Sequence, residues 1–279
     1  MTVRRQSSAR RGGSSRILIA VIIAVISLIT YFGSRQYNEV TDEVQYIDVT
    51  VAQEIALGLQ AAPQMAQQYG GESPDRQLRE MVERIGVRIV QGSNLQETGY
   101  QFDFHLLADA QTVNAFALPG GQVFVTVGLL NLLQTEGELA GVLGHEIGHV
   151  VARHSAEHMA KAKLTEGLSG AAVMAAYDPD NPNSVGVGQM AALVGQMVNM
   201  KFGRDDELES DKLGVRFIAA AGYDPRALIG VMEALAKASG GSRQPEFLSS
   251  HPNPENRVEK IQEAIAAEFP AGLPEGLTP

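Results

Sequence analysis

His145 and His149 stand four residues apart in the run His145-Glu146-Ile147-Gly148-His149. On an α-helix, residues at this spacing share a face one turn above each other, so both imidazoles can reach one metal ion at about 2.0–2.1 Å. Glu146 then projects to the side, where a carboxylate can take a proton from an activated water without occupying a coordination position. A catalytic zinc ion wants three protein ligands and one open position, and two histidines with one glutamate are a common set. Glu207 offers the third ligand from residues 202–214, which read as a second helix. Asp211, one turn beyond it, is placed to accept the free ring N–H of a ligand histidine and so fix its tautomer. The chemistry such a constellation supports is metal-assisted hydrolysis.

The elements that must hold these groups are mostly helical. Around the histidine pair, Leu139, Val142, Leu143, Ile147, Val150 and Val151 recur at helical intervals, and Glu136 and Glu138 place acidic charge in the first turn. Gly141, Gly144 and Gly148 weaken that helix by about 1 kcal/mol each relative to alanine. They mark room for close packing or for substrate. Upstream, Thr50 with Gln53 forms a capping-box pattern opening a helix toward Met65, and Ser73-Pro74 opens another with Leu78, Met81, Val82, Ile85 and Ile89 on one stripe. Downstream, Pro225 begins a helix toward Lys237, and residues 255–268 read as a last amphipathic helix. Two uncharged Ala/Gly/Met/Val-rich pieces, 167–177 and 185–202, flank a turn-rich break and read as packed helices or as a lid over a cleft.

Between the first helices and the histidine pair, the period changes. Phe102, Phe104 and Leu106 alternate with Asp103 and His105, and Val123-Phe124-Val125-Thr126 is β-rich after the breaker Pro119-Gly120-Gly121. A small sheet is expected there.

Charge and composition bound the partners. The 279 residues carry a formal net charge of −10 and contain no cysteine, so no disulfide or cysteine-linked lipid is available and the core alone must hold the fold. No basic patch for nucleic acid is present, and any contact with anionic lipid belongs to the N-terminal arginines. Arg4, Arg5, Arg10, Arg11 and Arg16 precede an uncharged apolar run at 17–32, while Glu39, Asp42, Glu43 and Asp48 follow it. The positive-inside rule places the arginines in the cytoplasm and the remainder on the far side of one membrane span. Tyr31, Phe32 and Arg35 occupy the place where a small-x-small cleavage site would fall, so a retained anchor is expected, with a cleaved signal peptide as the alternative. The expected division is an arginine-rich tail at 1–16, a span at 17–34, a linker at 35–49, the metal-binding domain at 50–269 and a loose tail at 270–279, which holds three prolines.

Five ordered blocks now stand together: Asn114-Ala115-Phe116-Ala117-Leu118-Pro119-Gly120-Gly121; Gly144 through His149 with Arg153-His154; Glu207-Leu208-Glu209-Ser210-Asp211; Ala221-Gly222-Tyr223-Asp224-Pro225; and His251-Pro252 with Arg257. Over about residues 50–267, the chain resembles the HtpX/BepA/Oma-type family of membrane-associated zinc metallopeptidases, and is most similar to its BepA/YcaL/LoiP-like periplasmic branch. Ser210 departs from the alanine common in relatives and leaves the ligand assignment intact. The resemblance implies an α+β, mainly helical, zincin-like domain with a small sheet beside the active-site helix, preceded by one N-terminal transmembrane helix. It implies one Zn2+ on His145, His149 and Glu207, with Glu146 as catalytic base, Asp211 behind the ligands, and His251 near the metal as an inhibitory ligand or an oxyanion partner. The strand nearest the metal helix would offer its backbone to an extended substrate, which makes Asn114, Phe116, Gly120, Gly121, Val123 and Phe124 the expected substrate-binding residues. The implied work is cleavage of misfolded or unassembled envelope proteins at the bacterial inner membrane, with the domain in the periplasm. The alternative is an envelope chaperone or assembly factor whose metal site is held closed.

Overall fold

A run of aliphatic residues with no charge after Arg16 forms the first element, helix α1 (Gly12–Gly33), in the computed structural model, which describes residues 12–176, 201–240, 245–252 and 256–279. Residues 15–33 of α1 are long and apolar enough to cross a membrane, and Ile17, Leu18, Ile22, Ile26, Ile29 and Phe32 are all exposed on it. The residues after it, expected as a linker, instead pair as two short strands, β1 (Arg35–Asn38) and β2 (Glu43–Tyr46). An aromatic contact accompanies that pairing: Tyr31 stacks on Tyr46 with ring centroids 5.1 Å apart, and Phe32 meets the same ring edge-on. The chain divides into two units, and the described residues of the smaller one are 12–37, 43–48 and 157–176.

The larger unit begins with α2 (Val51–Gln68), where Thr50 and Gln53 make the capping box reciprocally. Helix α3 (Arg76–Gly92) starts later than the Ser73-Pro74 signal indicated. Asp75 takes the cap instead, its carboxylate accepting from the backbone N–H groups of Gln77 and Leu78 at 3.0 and 3.1 Å, while Ser73 Oγ accepts from Asp75 N. An aspartate satisfies two orphan donors at once and suits the positive end of the helix, which decides the boundary.

Three strands follow: β3 (Asp103–Leu107), β4 (Ala115–Leu118) and β5 (Gln122–Thr126). Their order is β3-β5-β4, with β3 parallel and β4 antiparallel to the central β5. Gly120 and Gly121 make the tight β4-β5 connection at φ +87° and +116°, a region open to glycine and costly for other residues.

The rest is helical. A single turn, α4 (Val127–Leu130), leads to α5 (Glu136–Val151), whose start is capped by Thr135 Oγ1 accepting from Glu138 N at 3.1 Å. Then come α6 (His154–Ala176), α7 (Arg204–Ala220), α8 (Ala227–Ser239), the short α9 (Phe247–Ser250) and α10 (Arg257–Glu268). The first apolar piece after the histidine pair continues α6; most of the second, up to residue 200, lies outside the described residues.

Helix α5 is central, with Gly137 and every residue from Leu139 to Val151 buried. Val82, Ile85 and Ile89 of α3, Phe104 and Leu106 of β3, Leu213, Phe217 and Ile218 of α7, and Leu228 and Val231 of α8 share one apolar cluster with it. The final residues are tied down rather than loose. Thr278 N–H donates to Gly222 O and Asp224 N–H to Thr278 O, while Pro279 O accepts from Gly137 N at 2.9 Å. The tail thus satisfies an orphan N–H in the first turn of α5, a demand its proline content did not reveal.

Candidate metal centre

The centre exists because α5 and α7 approach more closely than side chains would allow. A Cβ on Gly148 would sit 3.0 Å from the Ser210 carbonyl oxygen, and one on Gly144 would sit 2.5 Å from Ile218 Cγ2. Across the interface, a Cβ on Gly214 would sit 3.3 Å from His145 N. Three glycines that weaken their helices intrinsically thus bring the acidic face of α7 against the histidine face of α5.

His145, His149, Glu207 and His251 converge there, all buried, with one potential ligand atom from each within 4.8 Å of the others. The Nε2 atoms of His145 and His149 are 3.1 Å apart. Glu207 Oε2 lies 3.6 Å from His145 Nε2 and Oε1 lies 3.5 Å from His149 Nε2. Ligands around a tetrahedral zinc ion would be about 3.3 Å apart, given bonds near 2.0–2.1 Å. His251, capping α9, places Nδ1 2.9 Å from Glu207 Oε1 and 3.4 Å from His145 Nε2, so it stands in the ligand group itself. Phe247 and Phe202 wall the centre, stacking on His251 and His149 at 4.4 and 4.0 Å between ring centroids.

Outside the ligands, Asp211 accepts from His145 Nδ1–H at 2.9 Å. Asp211 is in turn held by Arg257 through Nε at 2.7 Å and Nη2 at 2.9 Å, and Arg257 Nη1 lies 3.0 Å from Glu207 Oε2. His149 turns Nδ1 toward His154 Nδ1 at 2.8 Å.

The charges set the protonation. Burial raises Asp211 and Glu207, but Arg257 with His145 outweighs it for the first and the surrounding imidazoles outweigh it for the second, so both carboxyls are held below their usual range. Burial pushes Glu146 up, ahead of the opposing pull of His251 and His145. Burial also pushes His149 well down, which favours the neutral imidazole that ligates metals.

A divalent cation fits these residues on three counts. His145 gives its Nδ1 proton to a carboxylate, so its Nε2 lone pair faces the group, and it faces another ring nitrogen at 3.1 Å that would repel it without a cation between them. Glu146, Glu207 and Asp211 face Arg257 as the one buried arginine beside them among the described residues, an excess of carboxyl groups that a divalent ion would offset. Both Glu146 oxygens, Glu207 Oε2 and His251 Nε2 are buried with no hydrogen-bond partner among the described residues, which a folded protein tolerates where a ligand supplies the partner.

The expected substrate-binding residues separate. Val123 and Phe124 are buried in the central strand β5, whose backbone is already paired on both sides, so they cannot receive another strand; this corrects their assignment. Gly120 and Gly121 are needed for the turn: Gly120 abuts the Ile55 backbone, and a Cβ on Gly121 would sit 2.6 Å from the Gln101 carbonyl oxygen. Asn114 and Phe116 remain, on or beside the edge strand β4. They line a cleft of about 290 Å³ with Met65, Tyr69, Phe202 and His251.

Sequence reasoning missed the roles of three residues. Arg257 is 1% exposed, and a buried arginine close to two buried carboxylates cannot be seen in sequence distance. His154 was visible beside Arg153 in the second block, and its spacing of five from His149 was a usable signal. Glu209 accepts from His154 Nε2 at 2.9 Å and carried no signal beyond its charge.

A helix-borne His-Glu-x-x-His pair closed by a glutamate from a second helix, with a carboxylate behind one imidazole, defines a metallopeptidase centre of the zincin type. The chain belongs to peptidase family M48, whose model matches residues 73–265. Among curated relatives it is similar to the mitochondrial metalloendopeptidase OMA1 of Schizosaccharomyces pombe, 32% identical over 84% of this chain and 67% of that one. It is 37% identical to the OMA1 of Arabidopsis thaliana over 58% of this chain and 32% of that protein. The beta-barrel assembly-enhancing protease of Escherichia coli K12 is 29% identical over 86% of this chain and 50% of its own length. The chain thus spans between about a third and three quarters of the length of the curated relatives it matches. The family resemblance read from the five blocks is borne out.

Proposed function

We propose that this chain is a membrane-anchored, zinc-dependent endopeptidase that cleaves misfolded or unassembled envelope proteins. The observation that carries the reading is the convergence of His145, His149 and Glu207 on one buried point, beside a Glu146 carboxylate that has no hydrogen-bond partner among the described residues. Zinc, when bound there, supplies a Lewis acid that polarises a carbonyl and acidifies water. Glu146 takes the proton of the attacking water at a carboxylate oxygen and returns it to the departing amine. Its burial-raised affinity for a proton suits both steps. An extended substrate lies along the free edge of β4, with Asn114 and Phe116 beside it, and backbone pairing of that kind reads little sequence. The names of the relatives, a metalloendopeptidase and a beta-barrel assembly-enhancing protease, support protein substrates of an envelope. The exposed apolar helix α1 supports a single anchor, and the arginines before it support a cytoplasmic N-terminus with the metal unit across an inner membrane.

One observation favours a second reading. His251 Nδ1 already occupies a ligand position, 2.9 Å from Glu207, which fits a centre held closed in a chaperone or assembly factor. Casein cleavage by the purified full chain, before and after chelation and zinc return, separates the two when run beside His251→Ala. Zinc-restored cleavage by the parent supports the peptidase. Cleavage only by the variant supports the closed centre, and none by either defeats both.

A further inference from the structure

His154 is 1% exposed and stands between a metal ligand and a carboxylate at the edge of solvent. Its Nδ1 is 2.8 Å from His149 Nδ1, and its Nε2 is 2.9 Å from Glu209 Oε2. Asp206 Oδ1 lies farther from Nε2, at 4.0 Å, and Ser210 Oγ is 3.5 Å from Nδ1. The directions of these hydrogen bonds follow from one end. A carboxylate ion has no proton to give, so His154 Nε2–H donates to Glu209, and in that tautomer Nδ1 is the acceptor. His149 Nδ1–H donates to it, which leaves the His149 Nε2 lone pair facing His145, Glu207 and His251.

Backbone placement makes this contact possible. Helix α5 ends at Val151 with Ala152 as its cap, Arg153 adopts φ +60°, and α6 starts at His154. An uninterrupted helix would carry the fifth residue after His149 round to another face. The left-handed turn brings the ring back beneath His149, with centroids 4.9 Å apart.

We propose that His154 is a positioning residue for the metal centre: with Glu209 it forms an imidazole relay that fixes the His149 tautomer and ring orientation. The two imidazole ligands are then supported differently. His145 rests directly on a buried aspartate locked by Arg257, whereas His149 reaches its carboxylate through a second imidazole. This inference rests on the metal-centre reading, yet the tautomer of His149 can be observed without zinc.

The test uses the purified full chain labelled with 15N-histidine, together with zinc affinity by chelator competition and the visible spectrum of the cobalt-substituted protein. In the zinc-free parent, His149 should carry its proton on Nδ1. His154→Leu should lower zinc affinity about 10–100-fold, as loss of an outer partner of a ligand imidazole does, and should shift the cobalt bands. His154→Asn places an amide oxygen near the position of Nδ1 and should recover most of the affinity. A His149 proton on Nε2 in the parent, or zinc binding by a folded His154→Leu protein at parental strength, overturns the relay. Should His154→Leu not fold, the parental tautomer decides alone. A parent that binds no zinc at all defeats the metal-centre reading, while the tautomer still reports on His154.

Discussion

Two arginines, Arg257 buried and Arg153 half-buried, meet buried carboxylates in the larger unit, and their surroundings differ in one respect. Arg153 donates Nε and Nη2 to Glu54 Oε1 at 2.9 and 2.5 Å and Nη2 to Val49 O at 2.8 Å, while Tyr100 OH donates to Glu54 Oε2 at 3.2 Å. Every charged oxygen there has a partner. Around Arg257, Asp211 is equally well held, but Arg257 Nη1 meets Glu207 Oε2 only as an ion at 3.0 Å, out of hydrogen-bond alignment, and the neighbouring Glu146 has no hydrogen-bond partner among the described residues, only His251 Nε2 at 3.6 Å. The first cluster spends its polar groups on itself and fastens the chain. The second leaves groups uncommitted beside three imidazoles, as a site needs if it is to hold a cation and move a proton.

The difference can be broken from either side. The largest effect is expected at the uncommitted carboxylate: Glu146→Gln should keep zinc stoichiometry by elemental analysis and lower peptidase kcat/KM by about 10²–10⁴-fold, the usual contribution of a general acid-base group. Parental turnover in that variant would remove Glu146 from the mechanism. Next, Glu54→Leu strands Arg153 and should cost about 3 kcal/mol in denaturant unfolding, the low end for a broken buried pair because the Val49 carbonyl still accepts from it. Zinc affinity should not change, and a loss of zinc there would merge the two clusters. Smaller again, Asp211→Asn removes the negative charge behind His145 Nδ1–H and sets an amide NH2 against Arg257 or His145, and should weaken zinc binding about 10–100-fold in chelator competition.

The smallest effect is in the acid limb of stability. Asp211 and Glu207 are held below their ordinary range in the folded chain, so the unfolded chain binds protons at higher pH than the folded one. Their contribution is full above about pH 4, the ordinary carboxylate value, and is lost as pH falls through the folded values. Glu54 has the opposite sign, since burial, ahead of the pull of Arg153, raises it; its contribution is present below the ordinary value and lost as pH rises through the folded one. Urea titrations between pH 3 and pH 7 (about the carboxylate range) should therefore show a shallower acid decline for Asp211→Asn than for the parent. An unchanged slope would mean that Asp211 is not stabilised by Arg257.

What was legible in the sequence was periodic or local. The histidine pair, Glu146, Glu207 and Asp211 share helical spacings of three or four, so one rule places each set on a face, and the structure brings both faces together. The capping box at Thr50, the apolar stripe of α3 and the small sheet follow equally local rules. Strand order does not. Nothing in Val123-Phe124 announces a central strand, and only the pairing of β5 with both neighbours shows that its backbone is spent. Arg257 lies 46 residues from Asp211, and the C-terminal strand-like contact of Thr278 with Tyr223 is just as remote from any local pattern. The glycines were ambiguous between packing and substrate because a missing side chain looks the same in both cases. Contact with Ser210 and Ile218 assigns Gly148 and Gly144 to packing.

Zinc K-edge absorption spectroscopy on the purified full chain tests the central claim most directly. The account predicts one zinc per chain with at least two imidazole nitrogens at about 2.0–2.1 Å and a carboxylate oxygen at about 2.0–2.2 Å, and loss of the imidazole scattering in His149→Ala. A parent chain without bound zinc, or with a shell of oxygens alone, would contradict it.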